Sequence, residues 1–71
     1  MYQYQKWSRL LGSTVEIRQN GKTIRVGMVD QAMADDSALW LAADGVEGRA
    51  LIEAAAEFEV WVKSEVFYSL K

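Results

Sequence analysis

A chain of 71 residues with no cysteine, histidine or proline accommodates one small domain, and it excludes disulfide frameworks, thiol or imidazole catalysis and thiolate or imidazole metal sites. An apolar share of 51% and a charged share of 25% describe a folding sequence, while the net charge of −2 offers no overall basic excess for a nucleic-acid backbone. The charge is divided along the chain, +4 over residues 1–29 and −6 over residues 30–71. No stretch approaches the roughly 20 apolar residues that a bilayer crossing needs, and residues 1–7 lack the apolar core of a signal peptide. The expectation is one cytoplasmic domain over residues 1–71, with no cofactor and no metal.

In chain order, Tyr4, Trp7, Leu10 and Leu11 recur at helical spacing, which predicts an amphipathic lead-in helix within residues 1–12, closed by Gly12. From Ser13 to Gln19 the period changes to two, with Val15 and Ile17 alternating with polar residues, the mark of a half-buried strand. Asn20-Gly21 then predicts a type I′ hairpin turn, because both central positions need positive φ. The return strand carries Ile24, Val26 and Met28 on one face and Thr23 and Arg25 on the other, with Gly27 marking a bulge or bend.

Residues 32–37 read as a strand end and turn, and residues 38–42 as a third strand with Leu39 and Leu41 on one face. Asp44-Gly45 is a second tight-turn signal. Residues 48–56 contain good helix formers at a distance from the turn that suits a fourth strand, so helix and strand both stand here. Glu57 to Val62 alternates without a break and gives a fifth strand, with Phe58, Val60 and Val62 inward and Glu57, Glu59 and Trp61 outward. In residues 63–71, Ser64 can cap a short helical tail that presents Val66, Phe67 and Leu70.

Five short antiparallel strands within residues 13–62 describe an all-β, SH3-like barrel with short helical ends. The segments Leu11-Gly12-Ser13-Thr14-Val15-Glu16-Ile17, Gly21 to Gly27, Ser37-Ala38-Leu39-Trp40-Leu41 and Asp44-Gly45-Val46 resemble the C-terminal SH3-like domain of biotin protein ligases. Trp7-Ser8-Arg9-Leu10 is similar to the helical lead-in of that domain. The likeness covers residues 7–62. It implies a non-catalytic accessory role, in which the domain helps order a ligase nucleotide site and dock the biotin-accepting protein. It also points to Arg49 and Glu57, near the family's closing motif, as the residues for any nucleotide contact. The family's closing motif appears here as Ala55-Ala56-Glu57, with Trp61 where a basic residue is usual. The catalytic Gly-Arg-Gly-Arg-x-Gly-Arg loop is absent from these residues, so no enzyme activity is expected of them.

The residues themselves nominate a partner surface. Trp40 and Trp61 point away from the interior by strand alternation, and exposed indoles call for an interface or for cover by Trp7 or by Phe67 and Tyr68. Arg18 and Arg25 are expected to face outward across the first hairpin, with Lys22 near its tip, as a basic strip for phosphate or an acidic partner, or as a solvated face. Asp35-Asp36 and the pair Glu57 and Glu59 are the acid–base material, and turn and solvated-strand roles account for both. The alternative to an accessory domain is a free-standing small-barrel interaction module, Sm-like or other, acting through homo-oligomerisation or through RNA or protein binding.

Overall fold

The Asn20-Gly21 turn organises the first hairpin as the sequence predicts, with φ values of 53° and 76° at its two central residues. The computed structural model describes residues 1–70. Six strands run as β1 (Tyr2–Gln3), β2 (Thr14–Gln19), β3 (Lys22–Ala32), β4 (Ala38–Leu41), β5 (Ala50–Glu53) and β6 (Glu59–Val62). Two 3-10 turns, Trp7–Arg9 and Ala54–Ala56, and one six-residue helix, α1 (Ser64–Ser69), complete the chain. All strand pairings are antiparallel, in the order β1-β6-β2-β3-β4-β5, and among the described residues no ladder joins β5 back to β1.

Several sequence expectations are corrected. The N-terminus forms no helix over residues 2–11. The edge of β6 instead takes up Tyr2 and Gln3 as a sixth strand, and the Tyr4 amide donates to the Val60 carbonyl at 2.8 Å. Only Trp7–Arg9 turns, which seats Trp7 and Leu10 in the core and leaves Leu11 64% exposed. Residues 50–53 are strand and residues 54–56 a 3-10 turn, which resolves the open stretch near 48–56. The Asp44-Gly45 signal belongs to an eight-residue loop, 42–49, because Leu41 pairs with Ala50. Within it Asp44 Oδ1 accepts the amides of Val46 and Glu47, each at 2.7 Å, and substitutes for a tight hairpin turn. Lys63 holds the N-cap position of α1 and Ser64 is already helical, with no side-chain cap.

The most consequential difference lies in β3. With Gln19 opposite Lys22, an unbroken ladder would set Ile17 against Ile24 and Val15 against Val26, two apolar pairs facing the core. The register shifts between Ile17 and Arg18, so that Ile17 opposes Arg25 and Val15 opposes Gly27. Ile24 is the extra residue. Because side chains alternate with period two, one inserted residue moves every following side chain to the other face. Arg25, Gly27 and Val29 therefore take the inner phase, and Ile24, Val26 and Met28 lie outside, 51%, 53% and 48% exposed. A second shift between Val29 and Gln31 makes Asp30 extra and returns Ala32 to the side of buried Leu39. Gly27 is not the bulge; it takes an inner position against Leu41, whose side chain an added Cβ would meet at 3.5 Å, an ordinary van der Waals contact.

The core is built by Leu10, Val15, Ile17, Val29, Leu39, Leu41, Val60 and Val62, all essentially without exposure, with Trp7 and Ile52 at its margin. Burying each large aliphatic contributes about 1.5–3 kcal/mol, so these few side chains carry most of the favourable term in so small a domain. Tyr2 stacks on Phe67 at 4.2 Å between centroids, and the Tyr2 and Tyr68 hydroxyls lie 3.1 Å apart, which joins β1 to α1.

Candidate binding surface

On the outer face of the half-sheet β6-β2-β3, the ladder sets Gln3 beside Trp61, Trp61 beside Glu16, and Glu16 beside Val26. Arg18 sits between Glu59 and Thr23 in the neighbouring row. Its guanidinium lies 4.3 Å from the Trp61 ring centroid and pairs with the Glu16 carboxylate. Glu16 also accepts the Thr23 hydroxyl at 3.0 Å, and Glu59 Oε1 accepts the Trp61 indole N–H at 2.9 Å. The hydrogen bond from Arg18 is the first cause holding the Glu16 carboxyl below its ordinary value, with a smaller contribution from Thr23.

A second arginine–tryptophan pair occupies the outer face of β3-β4-β5. Trp40 stands between Gln31 and Leu51, and the Arg49 guanidinium lies 5.4 Å from its ring centroid. Arg49 is itself held by Asp30, through Nε at 3.1 Å and Nη2 at 3.0 Å, and it donates to Gln31 Oε1 at 2.9 Å. Both indoles are half-buried. The groups over them are the chain's own arginines, a cover that the sequence reading did not weigh; strand alternation alone could have suggested Arg18, two residues from Glu16 on the strand beside Trp61.

Of the expected basic strip, Lys22 is exposed at the hairpin end and Arg18 is stacked on Trp61, while Arg25 departs from expectation. The bulge turns Arg25 inward, where Nη1 donates to the Gly48 carbonyl at 2.6 Å and Nη2 to the Ala42 carbonyl at 3.0 Å. Its side chain is 9% exposed, and Nε lies 3.5 Å from the Glu47 carboxylate without a hydrogen bond. Arg25 is a strut between hairpin and loop, and it is unavailable to a partner. Arg49 and Glu57 fall at opposite ends of β5 and its 3-10 turn, Glu57 being the left-handed cap of that turn at φ 63°. They do not form a pair.

The carboxylates of the turns are committed to backbone. Asp35 accepts the Ser37 amide at 3.0 Å and Asp36 the Ser8 amide at 2.7 Å, and the side chains of these serines, ahead of their amides, hold both carboxyls below their ordinary value. Among the described residues no group of three or more acidic, histidine or cysteine side chains could hold a metal ion, and no helix is long and apolar enough to cross a membrane.

The feature that sequence reasoning missed is the aliphatic row Ile24, Val26 and Met28, which flanks the Trp61–Arg18 stack. Its signal was present as alternation; its side was set by the bulge. Comparison with protein-family models, curated proteins and solved structures gives no match to this chain.

Proposed function

We propose that this chain is a non-catalytic accessory domain of SH3-like barrel type, resembling the C-terminal domain of biotin protein ligases, and that it binds a protein partner through the outer face of β6-β2-β3. The observation that carries the reading is the half-exposed row Ile24, Val26 and Met28 beside the Trp61–Arg18 stack. Aliphatic side chains around an aromatic–arginine centre are the composition of an interface core, where Trp and Arg dominate the binding energy. The exposed Lys22 beside this row, in the half of the chain that carries +4, suits a partner with an acidic rim. The ligase-like role supplies two partners to try, a ligase catalytic domain and a biotin-accepting carrier domain.

The test is calorimetric titration of the chain with each of these two domains, repeated with Val26→Glu. Val26 is 53% exposed and stands opposite Glu16, so a circular-dichroism melt of the variant accompanies the titration and shows that a loss of binding is not a loss of fold. The proposal expects binding to at least one domain and a loss of about tenfold or more in the variant. Binding to neither domain, or equal binding by Val26→Glu, refutes it. A ring-sized mass by light scattering supports the free-standing, self-associating alternative instead.

A further inference from the structure

A cleft of about 270 Å³ lies away from the β3 row, where residues 3–7 pass the start of β6. Tyr4, Trp7 and Phe58 give it aromatic walls, Asp36 and Glu59 give it carboxylates, and Gln5 adds an amide at its margin. Among the described residues no lysine or arginine lines it. The volume falls just below the roughly 300–1,000 Å³ of sites for drug-sized ligands, which suits a single side chain.

Asp36 is engaged by Ser8 through both its amide, on Oδ1, and its side chain, and contributes charge to the cleft, while Glu59 gives Oε1 to the Trp61 indole and keeps the accepting capacity of Oε2. Lys6 is the cation that acts on Asp36, and it does so only through space, as the weakest of the influences on that carboxyl. Aromatic faces attract cations through their quadrupole, and carboxylates at the same cleft add charge-assisted hydrogen bonds. The cleft also borders β1, the terminal strand of the sheet, whose free edge offers backbone groups to an extended segment.

We infer that this cleft receives the lysine or arginine side chain of an extended partner peptide lying along β1. Opposite charge and aromatic walls select the cationic head, and the strand edge selects a peptide over a free amine. The site lies away from the β3 row and meets the proposed partner surface at Glu59, whose Oε1 holds the Trp61 indole, so Asp36→Asn is the variant that reads the cleft alone.

The experiment follows the Trp7 indole N–H and Ala54 amide signals by ¹H–¹⁵N correlation NMR while acetyl-Gly-Ser-Lys-Ser-Gly-amide is added to the full chain. The expected result is saturable shifts with this peptide and with its arginine counterpart, and binding weaker by about tenfold with norleucine in place of lysine. Asp36→Asn and Glu59→Gln keep their accepting oxygens for Ser8 and Trp61, so each should remain folded, Asp36→Asn with the small loss of melting temperature at pH 7 that its missing charge entails. Each should weaken the lysine peptide by about threefold to fivefold. Val26→Glu should leave the titration unchanged, which separates this site from the proposed partner surface. Norleucine binding as well as lysine, unchanged affinity in both carboxylate variants, or no saturable shift at millimolar peptide overturns the inference. Butylammonium binding as tightly as the lysine peptide overturns the peptide as occupant.

Discussion

Arg25 donates to the Gly48 carbonyl oxygen over 2.6 Å, a bond that ties the first hairpin to the far end of the 42–49 loop. A second bond to the Ala42 carbonyl holds the near end, so one planar guanidinium fixes both ends of an eight-residue segment. The other ties of the loop to β3 are the Ala42 amide on the Met28 carbonyl and Arg49 on Asp30 and Gln31, and Val46 between them is 94% exposed.

Arg25→Met should therefore destabilise the domain by about 2–3 kcal/mol, since hydrogen bonds to a charged donor contribute about 1.5–3 kcal/mol and their loss leaves two carbonyls unpaired. Lysine should restore little, because an ammonium cannot bridge two carbonyls in the geometry of the guanidinium fork. Urea unfolding measures the loss, and amide exchange of residues 42–49 should rise in the same variant. A change below about 0.5 kcal/mol would show that the loop is held by other contacts.

Arg25 also marks where the sequence stopped being legible. Asn20-Gly21, the alternation at Val15 and Ile17, and the buried phase of Leu39, Leu41, Val60 and Val62 could all be read directly, because local turn chemistry and period two determine them. The inner and outer faces of β3 could not. A two-residue turn predicts Ile17 opposite Ile24, and only the bulge at Ile24 reverses the faces, which sends Arg25 inward to the Ala42 and Gly48 carbonyls. The N-terminal strand failed for a similar reason: Tyr2 and Gln3 have partners only because β6 presents its edge at Val62 and Trp61, far along the chain. At the candidate surface, Trp40, Trp61 and Arg18 were legible as outward residues, while the aliphatic row beside them was not.

Gly21→Val isolates backbone strain from packing. Gly21 sits at φ +76°, and an added Cβ would meet nothing within 4 Å, so no steric clash contributes. A β-branched residue in that region is strained by about 1 kcal/mol or more. The expected outcome is a melting temperature lowered by about 4–8 °C per kcal/mol for a domain of this size. Unchanged melting would mean that the hairpin tolerates another turn type.

Acid should destabilise the domain within a narrow window. Asp35 and Asp36 are held below their ordinary value of 3.8 first by the side chains and then by the amides of Ser37 and Ser8, Asp44 mainly by the amides of Glu47 and Val46, and Glu16 below 4.5 mainly by Arg18. A carboxyl whose folded value is depressed binds more protons when unfolded, so its contribution to stability is present above the ordinary value and is lost as pH falls through the folded one. Unfolding free energy should be flat from pH 7 to about 5 and should decline below about 4.5. Asp36→Asn, which keeps an accepting oxygen for Ser8 but cannot titrate, should flatten part of that decline.

The Arg18–Trp61 stack tests whether the outer face is prebuilt or assembled by a partner. The guanidinium lies over the ring at 4.3 Å while also pairing with Glu16, and the indole N–H is held by Glu59, so the rotamers of both residues are fixed in the free chain. A half-exposed cation–π contact contributes about 0.5–1 kcal/mol, and the double-mutant cycle Arg18→Ala, Trp61→Ala should return a coupling of that size in urea unfolding. The charge of Arg18 is shared between Glu16 and the ring, and the ion pair is the component that salt screens. Raising sodium chloride from 0.1 to about 1 M should therefore leave most of the coupling in place. Tryptophan fluorescence in a Trp40→Phe background adds an independent reading: Trp7 is buried and serves as an internal reference, so acrylamide should quench Trp61 more strongly when Arg18→Ala is added. A coupling near zero, with identical quenching in both proteins, would place Arg18 free of the indole in solution, and the outer face would then require a partner to order it.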